Sequence, residues 1–241
     1  MKLRTIYDIL NEISPFSLQE EWDNSGVNLG DFNKDIKKIY VSLDIDEELI
    51  DLVEENSLLI THHPLIFRPI KKVIPNRFST KFLIKLISKN ISLIAMHTNF
   101  DKTHLNNYFA KEILGFDGVS EEFIFYSDVF MEFDELVSLV KTKMNLKHIR
   151  VVKAKNFIKR VAITTGAGMS LLDSINADCF LTGDIKYHEA MDAKARGISL
   201  IDIGHYESER YFADIMFDVL KEVNLDVEIK KINSKNPFEL I

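Results

Sequence analysis

Three short segments of this chain carry residue types that hold metal ions. His62 and His63 are adjacent, in a loop closed by Pro64. Neighbouring side chains of an extended segment point apart, so this pair can serve two ions, or one ion and a substrate. Imidazole is the commonest metal ligand, although a HisHis dipeptide also reads as an ordinary surface or core pair. The second segment, HTNFD, sets His97 and Asp101 four residues apart. Asp101 could instead cap the following helix, His97 could be a hydrogen-bonded core histidine, and His104 reads as solvent-exposed. The third segment, HYESE, spaces His205 and Glu209 by four, which on a helix stacks both on one face and suits a shared ion. Together His62, His63, Asp101, His205 and Glu209 offer three imidazoles and two carboxylates, with His97 in reserve. Such a nitrogen and oxygen set suits zinc, manganese, iron or cobalt better than calcium, and the lack of cysteine ligands argues against a closed structural zinc site. Two divalent ions ~3.5 to 4 Å apart activate water and polarise a carbonyl or phosphoryl oxygen. The chemistry this implies is hydrolysis.

These residues must be placed by the elements around them. Ile6, Leu10, Ile13 and Phe16 repeat at helical spacing, so the chain opens on an amphipathic helix that ends near Pro15. Apolar β-rich runs then alternate with helical ones: KKIYVSLD, a helix over about 47–55, LLITHH, a proline-punctuated loop, a helix over about 80–89, ISLIAMHTNFD and a helix over about 106–114. A second unit follows, with helices near 134–144, 169–175 and 187–195 between the runs KRVAITTGAG, DCFLTGD and ISLIDIGHYESE. This alternation predicts an α/β protein with mostly parallel sheets flanked by helices. Each apolar run ends in polar, potentially reactive residues: Asp44, His62 and His63, His97, Thr164 to Gly168, Asp184, His205. In open α/β sheets, ligands bind outside the carboxyl ends of the strands, so these residues are expected to converge.

Composition narrows the function classes. With 46% hydrophobic residues, 28% charged residues and only five prolines and nine glycines, the whole chain should fold. The net charge of −7, with Lys and Arg scattered and no basic block, disfavours duplex nucleic acid as a partner. The amino terminus carries Asp8 and Glu12 where a signal peptide would be apolar, and no run is long enough to span a bilayer. The single cysteine, Cys179, sits in an apolar run and reads as core. With no disulfide possible, a cytoplasmic location is expected.

The motifs WDNSGVNLG (22–30), THHPLIF (61–67), AMHTNFD (95–101), LTGDIKYHEA (181–190) and IDIGHYESE (201–209) occur in this order. Together they resemble the GTP cyclohydrolase 1 type 2 homolog family, the Nif-three-like dinuclear metal centre proteins. The resemblance implies a two-domain α/β subunit, six copies of which form a toroid around an internal cavity. It implies two divalent metal ions per subunit, zinc, iron or manganese, on His62, His63, Asp101, His205 and Glu209. It places His97, Asp184 and His188 near the metals as pocket residues. Because ligands at 62–101 and 205–209 must meet, the carboxyl-terminal segment returns to the first domain. The expected division is therefore a metal-binding domain of 1–124 plus 197–241, with a second α/β domain, 125–196, inserted in it. His104, Leu105 and Met169 stand where relatives commonly have glycine.

The remaining motifs read as structure first. TTGAG, before a helix, could cradle a phosphate, but it lacks the full GxGxxG spacing and a P-loop lysine, so a tight turn is the preferred reading. Trp22 is expected to anchor loop packing, with Asp23 and Asn24 either forming an Asx turn or reaching the pocket. Asp184 and His188, four apart, read either as a hydrogen-bonding and proton-shuttling pair or as a helix cap with a structural histidine. The functional expectation is a metal-dependent hydrolase acting on a nucleotide-like or phosphorylated small molecule. The alternative is a non-enzymatic metal-binding scaffold, or a storage or delivery protein.

Overall fold

A computed structural model describes residues 1–239. The chain forms two compact units: Met1–Phe100 together with the segment from Arg210 onward, and Asp101–Glu209. The second unit is thus inserted, along the sequence, within the first.

The first unit opens on α1 (Leu3–Ile13), which buries Leu3, Ile6 and Leu10 and stops at Ser14, the residue before Pro15, where helical backbone is disfavoured. Its sheet has five strands: β1 (Gly26–Leu29), β2 (Lys38–Ser42), β3 (Leu58–Thr61), β4 (Ser92–Ala95) and β11 (Glu228–Lys231), in the order β1-β4-β3-β2-β11. The pairs β3/β4, β2/β3 and β11/β2 are parallel, and only β1 runs against its neighbour. Strands covered on both faces read as unbroken apolar runs, and Leu58, Leu59 and Ile60 are indeed wholly buried. Truncating one of these, Ile60→Ala for instance, would cost about 2–5 kcal/mol through lost burial and the cavity left behind. Helices α2 (Glu47–Leu52) and α3 (Phe78–Ser88) pack Leu49, Ile50, Phe82 and Leu86 onto β2, β3 and β4 through Tyr40, Leu59 and Leu93. α2 starts where Asp46 accepts the Leu49 N–H at 2.7 Å, an N-cap. Next come the short helical turn α4 (Thr98–Phe100) and, late in the chain, α9 (Phe212–Glu222), which buries Phe212, Ile215, Met216 and Leu220.

The second unit begins with alternating π- and α-helical turns over Asp101–Leu114, including α5 (Asn106–Tyr108), and ends them on Gly115. Its six-stranded sheet comprises β5 (Val119–Glu121), β6 (Ile124–Glu132), β7 (Arg150–Val152), β8 (Phe157–Ile163), β9 (Cys179–Thr182) and β10 (Ser199–Asp202), ordered β5-β6-β8-β9-β10-β7. Here the parallel part is confined to β8, β9 and β10, while β5, β6 and β7 pair antiparallel. The expected α/β architecture of two helix-flanked sheets holds, and "mostly parallel" describes the first sheet, whereas the second is mixed. The reason lies in the connections: β5 and β6 are joined by a tight turn that only antiparallel strands permit. Helices α6 (Phe133–Lys143), α7 (Tyr187–Ala195) and α8 (His205–Glu209) complete the unit, and its core gathers Ile124, Ala162, Phe180, Ala193 and Leu200. Cys179 is wholly buried in it, and burial pushes its thiol far above the ordinary range, so it is packing rather than a nucleophile. Among the described residues no helix is long and apolar enough to cross a membrane.

Candidate metal centre

In the first unit the parallel strands β2, β3 and β4 deliver their carboxyl ends to one edge of the sheet, and each hands over a polar residue there: Asp44, His62 with His63, and His97. The backbone N–H of His62 still donates to Leu43 O at 3.1 Å, so the ladder continues one residue past β3 and sets the first ring into the interior. His62 is fully buried. The rings of His62, His63 and His97 lie 4.9 to 5.4 Å apart, centre to centre. One nitrogen from each falls within 4.8 Å of the other two, a group able to hold a metal ion.

The Nδ1 nitrogen of each ring is occupied. His62 Nδ1 is 2.8 Å from Met96 O, His63 Nδ1 is 2.9 Å from Asp44 Oδ1, and His97 Nδ1 is 2.7 Å from Asp23 Oδ1. A carbonyl and a carboxylate can only accept, so each Nδ1 carries the proton and donates it, and each Nε2 of a neutral ring keeps its lone pair. That is how protein histidines are oriented and made more basic for metals. Asp23 is tied down in turn. Its oxygens accept the Asn24 N–H at 2.7 Å, the Ser25 hydroxyl at 2.9 Å and the Thr98 N–H at 3.1 Å. Burial would raise its pKa, but the hydrogen bonds from His97, Thr98 and Asn24 outweigh burial and hold the carboxyl far below the usual carboxylate range. Of the two readings open for Asp23, it reaches the histidine cluster; the Ser25 N–H that an Asx turn would use goes to Gln19 Oε1 instead.

The second unit builds its donors on the same plan. The parallel strands β8, β9 and β10 end in Thr164 to Gly168, in Asp184 and in the turn before α8. On α8 the spacing of four brings His205 Nε2 to 3.1 Å from Glu209 Oε2, as HYESE predicted. His205 Nδ1 lies 2.7 Å from Asp184 Oδ2, which fixes its tautomer as in the other three rings. Standing between the carboxylates of Asp184 and Glu209, His205 can pair with both as an imidazolium, or as a neutral ring share a metal ion with Glu209. Donors sharing one ion at about 2.0–2.1 Å, at tetrahedral or right angles, stand ~3 Å apart, so the pair fits a metal. Asp184 achieves its position with a left-handed backbone, φ +55°, which Asp tolerates better than most residues. Asp101 is buried and opens the π-helical turn Asp101–Leu105. The helical run starts three residues earlier, at Thr98, so Asp101 is not the N-cap that the sequence left open. π-turns are rare and cluster at functional sites.

TTGAG resolves as a structural turn. The N–H groups that a phosphate would need are spent internally: Thr165 N–H on Asn106 Oδ1 at 2.8 Å, Gly166 N–H on Ser208 Oγ at 3.0 Å, Gly168 N–H on Thr182 Oγ1 at 2.8 Å. Yet the turn serves the donors. Gly166 has φ +62°, and a Cβ there would stand 1.9 Å from Glu209 Oε1, so only glycine leaves room for that carboxylate. Nothing in the sequence marks this clearance, because Gly166 and Glu209 are far apart along the chain.

His188 is exposed on α7 with its ring 5.3 Å from Tyr187, and neither it nor Asp184 caps that helix, whose N-cap residue is Lys186. His104 is half-buried rather than solvent-exposed: its Nδ1 lies 2.7 Å from Thr103 Oγ1, and burial lowers its pKa. Trp22 does not act as a buried packing anchor; it is 57% exposed, beside Phe67 and His97.

The sequence model of one family, Duf34/NIF3 (NGG1p interacting factor 3), matches residues 1–237. The chain belongs to the Duf34/NIF3 family. Among curated Duf34/NIF3 relatives, a Campylobacter jejuni protein named GTP cyclohydrolase 1 type 2 homolog is 50% identical over 99% of both chains. A Helicobacter pylori protein named GTP cyclohydrolase 1 type 2 is 44% identical, again over 99% of both. Among solved structures, the Staphylococcus aureus hypothetical protein SA1388 superposes with a TM-score of 0.87 at 25% identity, covering 100% of this chain and 99% of the other. Reduced HcgD from Methanocaldococcus jannaschii superposes at 0.80 with 28% identity, over 96% and 97% of the two chains. The resemblance read from five motifs is therefore a family membership, and the Duf34/NIF3 fold accounts for the two sheets.

Proposed function

We propose that this Duf34/NIF3 chain holds two divalent metal ions, zinc, iron or manganese, on His62, His63, Asp101, His205 and Glu209. We further propose that it hydrolyses a nucleotide-like or phosphorylated small molecule. The observation that carries the reading is the set of four histidines, His62, His63, His97 and His205, each with Nδ1 committed to an oxygen acceptor, three of them grouped closely enough to hold an ion.

Bound there, the ions would supply Lewis acidity and water acidified towards neutral pH. The protein's own groups do the rest. The Met96 carbonyl, Asp44 and Asp184 hold the tautomers of His62, His63 and His205. His97, oriented by Asp23, is the proposed proton carrier for the attacking water and the leaving group. Asp184 acts through His205, and His188, exposed on α7, is the group proposed to meet the ligand from the second unit. The proposed working form is a cytoplasmic homohexamer.

The test is direct. The purified chain is reconstituted with each metal, its metal content measured, and turnover followed on nucleoside triphosphates, GTP among them, and on generic phosphoesters. About two ions per chain, with turnover abolished by His63→Ala plus Glu209→Ala, is the expected result. Fewer than about two ions with all five ligands intact would remove the dinuclear site. Full loading without turnover under any metal would leave the scaffold or delivery role in place of hydrolysis.

A further inference from the structure

Trp22 and Phe67 are large aromatic side chains left 57% and 41% exposed, and they are neighbours, with ring centres 5.8 Å apart and planes tilted by 53°. Scattered apolar residues at a surface are ordinary, but paired rings at the rim of a polar cluster are not. Both rings present themselves to His97, at 6.1 Å and 6.3 Å, each at 76° to the imidazole.

The pair is held in position by the loops that carry it. Asn24 Nδ2 donates to Ile66 O at 2.6 Å, and Asn28 Oδ1 accepts the Ile66 N–H at 3.1 Å, so the backbone beside Phe67 is clamped to the segment beside Trp22. Asp23, next to Trp22, is fixed to His97, Thr98 and Ser25. The polar residues of WDNSG thus lace two loops together while their aromatic side chains remain open to water. Such a construction makes a contact surface, since a packing anchor would have been buried.

Charge points the same way. The chain carries a net charge of −7, yet residues 56–100 contain no Asp or Glu at all. Lys81 and Lys85 in that stretch both pair with the single carboxylate of Glu47. Arg68, Lys71, Lys72 and Arg77 are exposed and, among the described residues, form no ion pair. The even scatter of charge suggested by composition gives way to a local cationic loop that begins at the residue after Phe67.

We propose that Trp22 and Phe67 form a stacking platform for the planar aromatic ring of a small anionic ligand, beside His97, with Arg68 and the cations at 71, 72 and 77 facing its charged group. Every aromatic ring system offers a π-face, so the platform selects for a ring rather than for a particular base, and an arginine next to it adds cation–π attraction. The proposal deepens the hydrolytic reading and rests on it for taking the histidine cluster as a small-molecule site.

Trp22 is the chain's single tryptophan, so its emission reports on the platform alone. The full chain, metal-free and metal-loaded, is titrated with adenosine and guanosine monophosphates, the free nucleosides and ribose 5-phosphate. The monophosphates should quench Trp22 emission saturably, the nucleosides more weakly, and ribose 5-phosphate not at all. Phe67→Ala, at an exposed position that leaves the fold intact, should weaken the monophosphates about tenfold or more. Lys71→Ala with Lys72→Ala should weaken the monophosphates and spare the nucleosides. Absence of saturable quenching overturns the proposal, as does an affinity unmoved by Phe67→Ala. So does an emission shift that follows protein concentration without ligand, which would make the rings a contact between copies of the chain. Turnover separates the two levels. Quenching without turnover under any metal retains the platform and retires hydrolysis; turnover with unchanged KM in Trp22→Ala plus Phe67→Ala does the reverse.

Discussion

Replacing Gly166 with alanine tests whether the TTGAG turn exists to make room for a metal-binding carboxylate. Two separable effects follow from the geometry. Gly166 sits at φ +62°, where an L-residue costs roughly 1–2 kcal/mol. The new Cβ would also stand 1.9 Å from Glu209 Oε1, against about 3.4 Å for ordinary contact, so the carboxylate has to retreat by ~1.5 Å. For a chain of this size the backbone strain corresponds to a fall in Tm of about 2–8 °C. The displaced carboxylate should weaken metal binding by about 10–100-fold or more, the scale seen when the groups orienting a metal ligand are lost. Gly197→Ala is the control: it has a similar φ, +75°, and open space where its Cβ would go, so it carries the strain without the collision. Calorimetric melting of the metal-free proteins and metal titration against a competing chelator give the two readouts. If Gly166→Ala bound metal as tightly as Gly197→Ala, Glu209 would not be held by that turn for metal binding, and the reasoning would fail.

Three further outcomes are expected. Asp44→Asn and Asp184→Asn, at half-exposed carboxylates, should each weaken metal binding about 10–100-fold while leaving the metal-free Tm within a few degrees, because they free the tautomers of His63 and His205; chelator competition and melting curves would check both. Saturating the metal-free chain with Zn2+ or Mn2+ at about 100 times Kd should add ~2.7 kcal/mol of stability for each ion bound, and the gain should vanish in His63→Ala plus Glu209→Ala; a melting temperature indifferent to metal would contradict the donor set. Asp178 lies away from these donors. Burial would raise its pKa, but the Lys155 ammonium and the N–H groups of Lys159 and Arg160 outweigh burial and lower it. A depressed folded pKa means stability present above the unfolded value of about 3.9 and lost as pH falls through the folded one, so Asp178→Asn should flatten the loss of stability below about pH 4 in urea unfolding.

Much of the frame was legible along the chain. Buried parallel strands show as apolar runs because both faces are covered, and the helices between them show as amphipathic repeats, so β2, β3, β4, β9 and β10 and the helices α1, α3, α6 and α7 fall close to their expected places. The polar residues ending those runs were readable as candidates because parallel strands converge at their carboxyl ends. The spacing of His205 and Glu209 placed both on one helix face for a similarly local reason, since four residues make about one helical turn, although the same spacing is frequent on solvated faces.

What the linear pattern could not carry is partnership across the chain. That Asp44 holds His63 and Asp23 holds His97 depends on which strand lies beside which, and strand order is set by packing rather than by any residue's neighbours in sequence. The antiparallel half of the second sheet and the start of the helical run at Thr98 were likewise tertiary outcomes. Gly166 looks like any turn glycine until Glu209 is folded against it. Trp22 looks like a packing anchor until the loops that carry it and Phe67 close with both rings outward. Local periodicity specifies backbone and the face a side chain takes; the long-range docking of elements decides which donors, clearances and exposed rings meet.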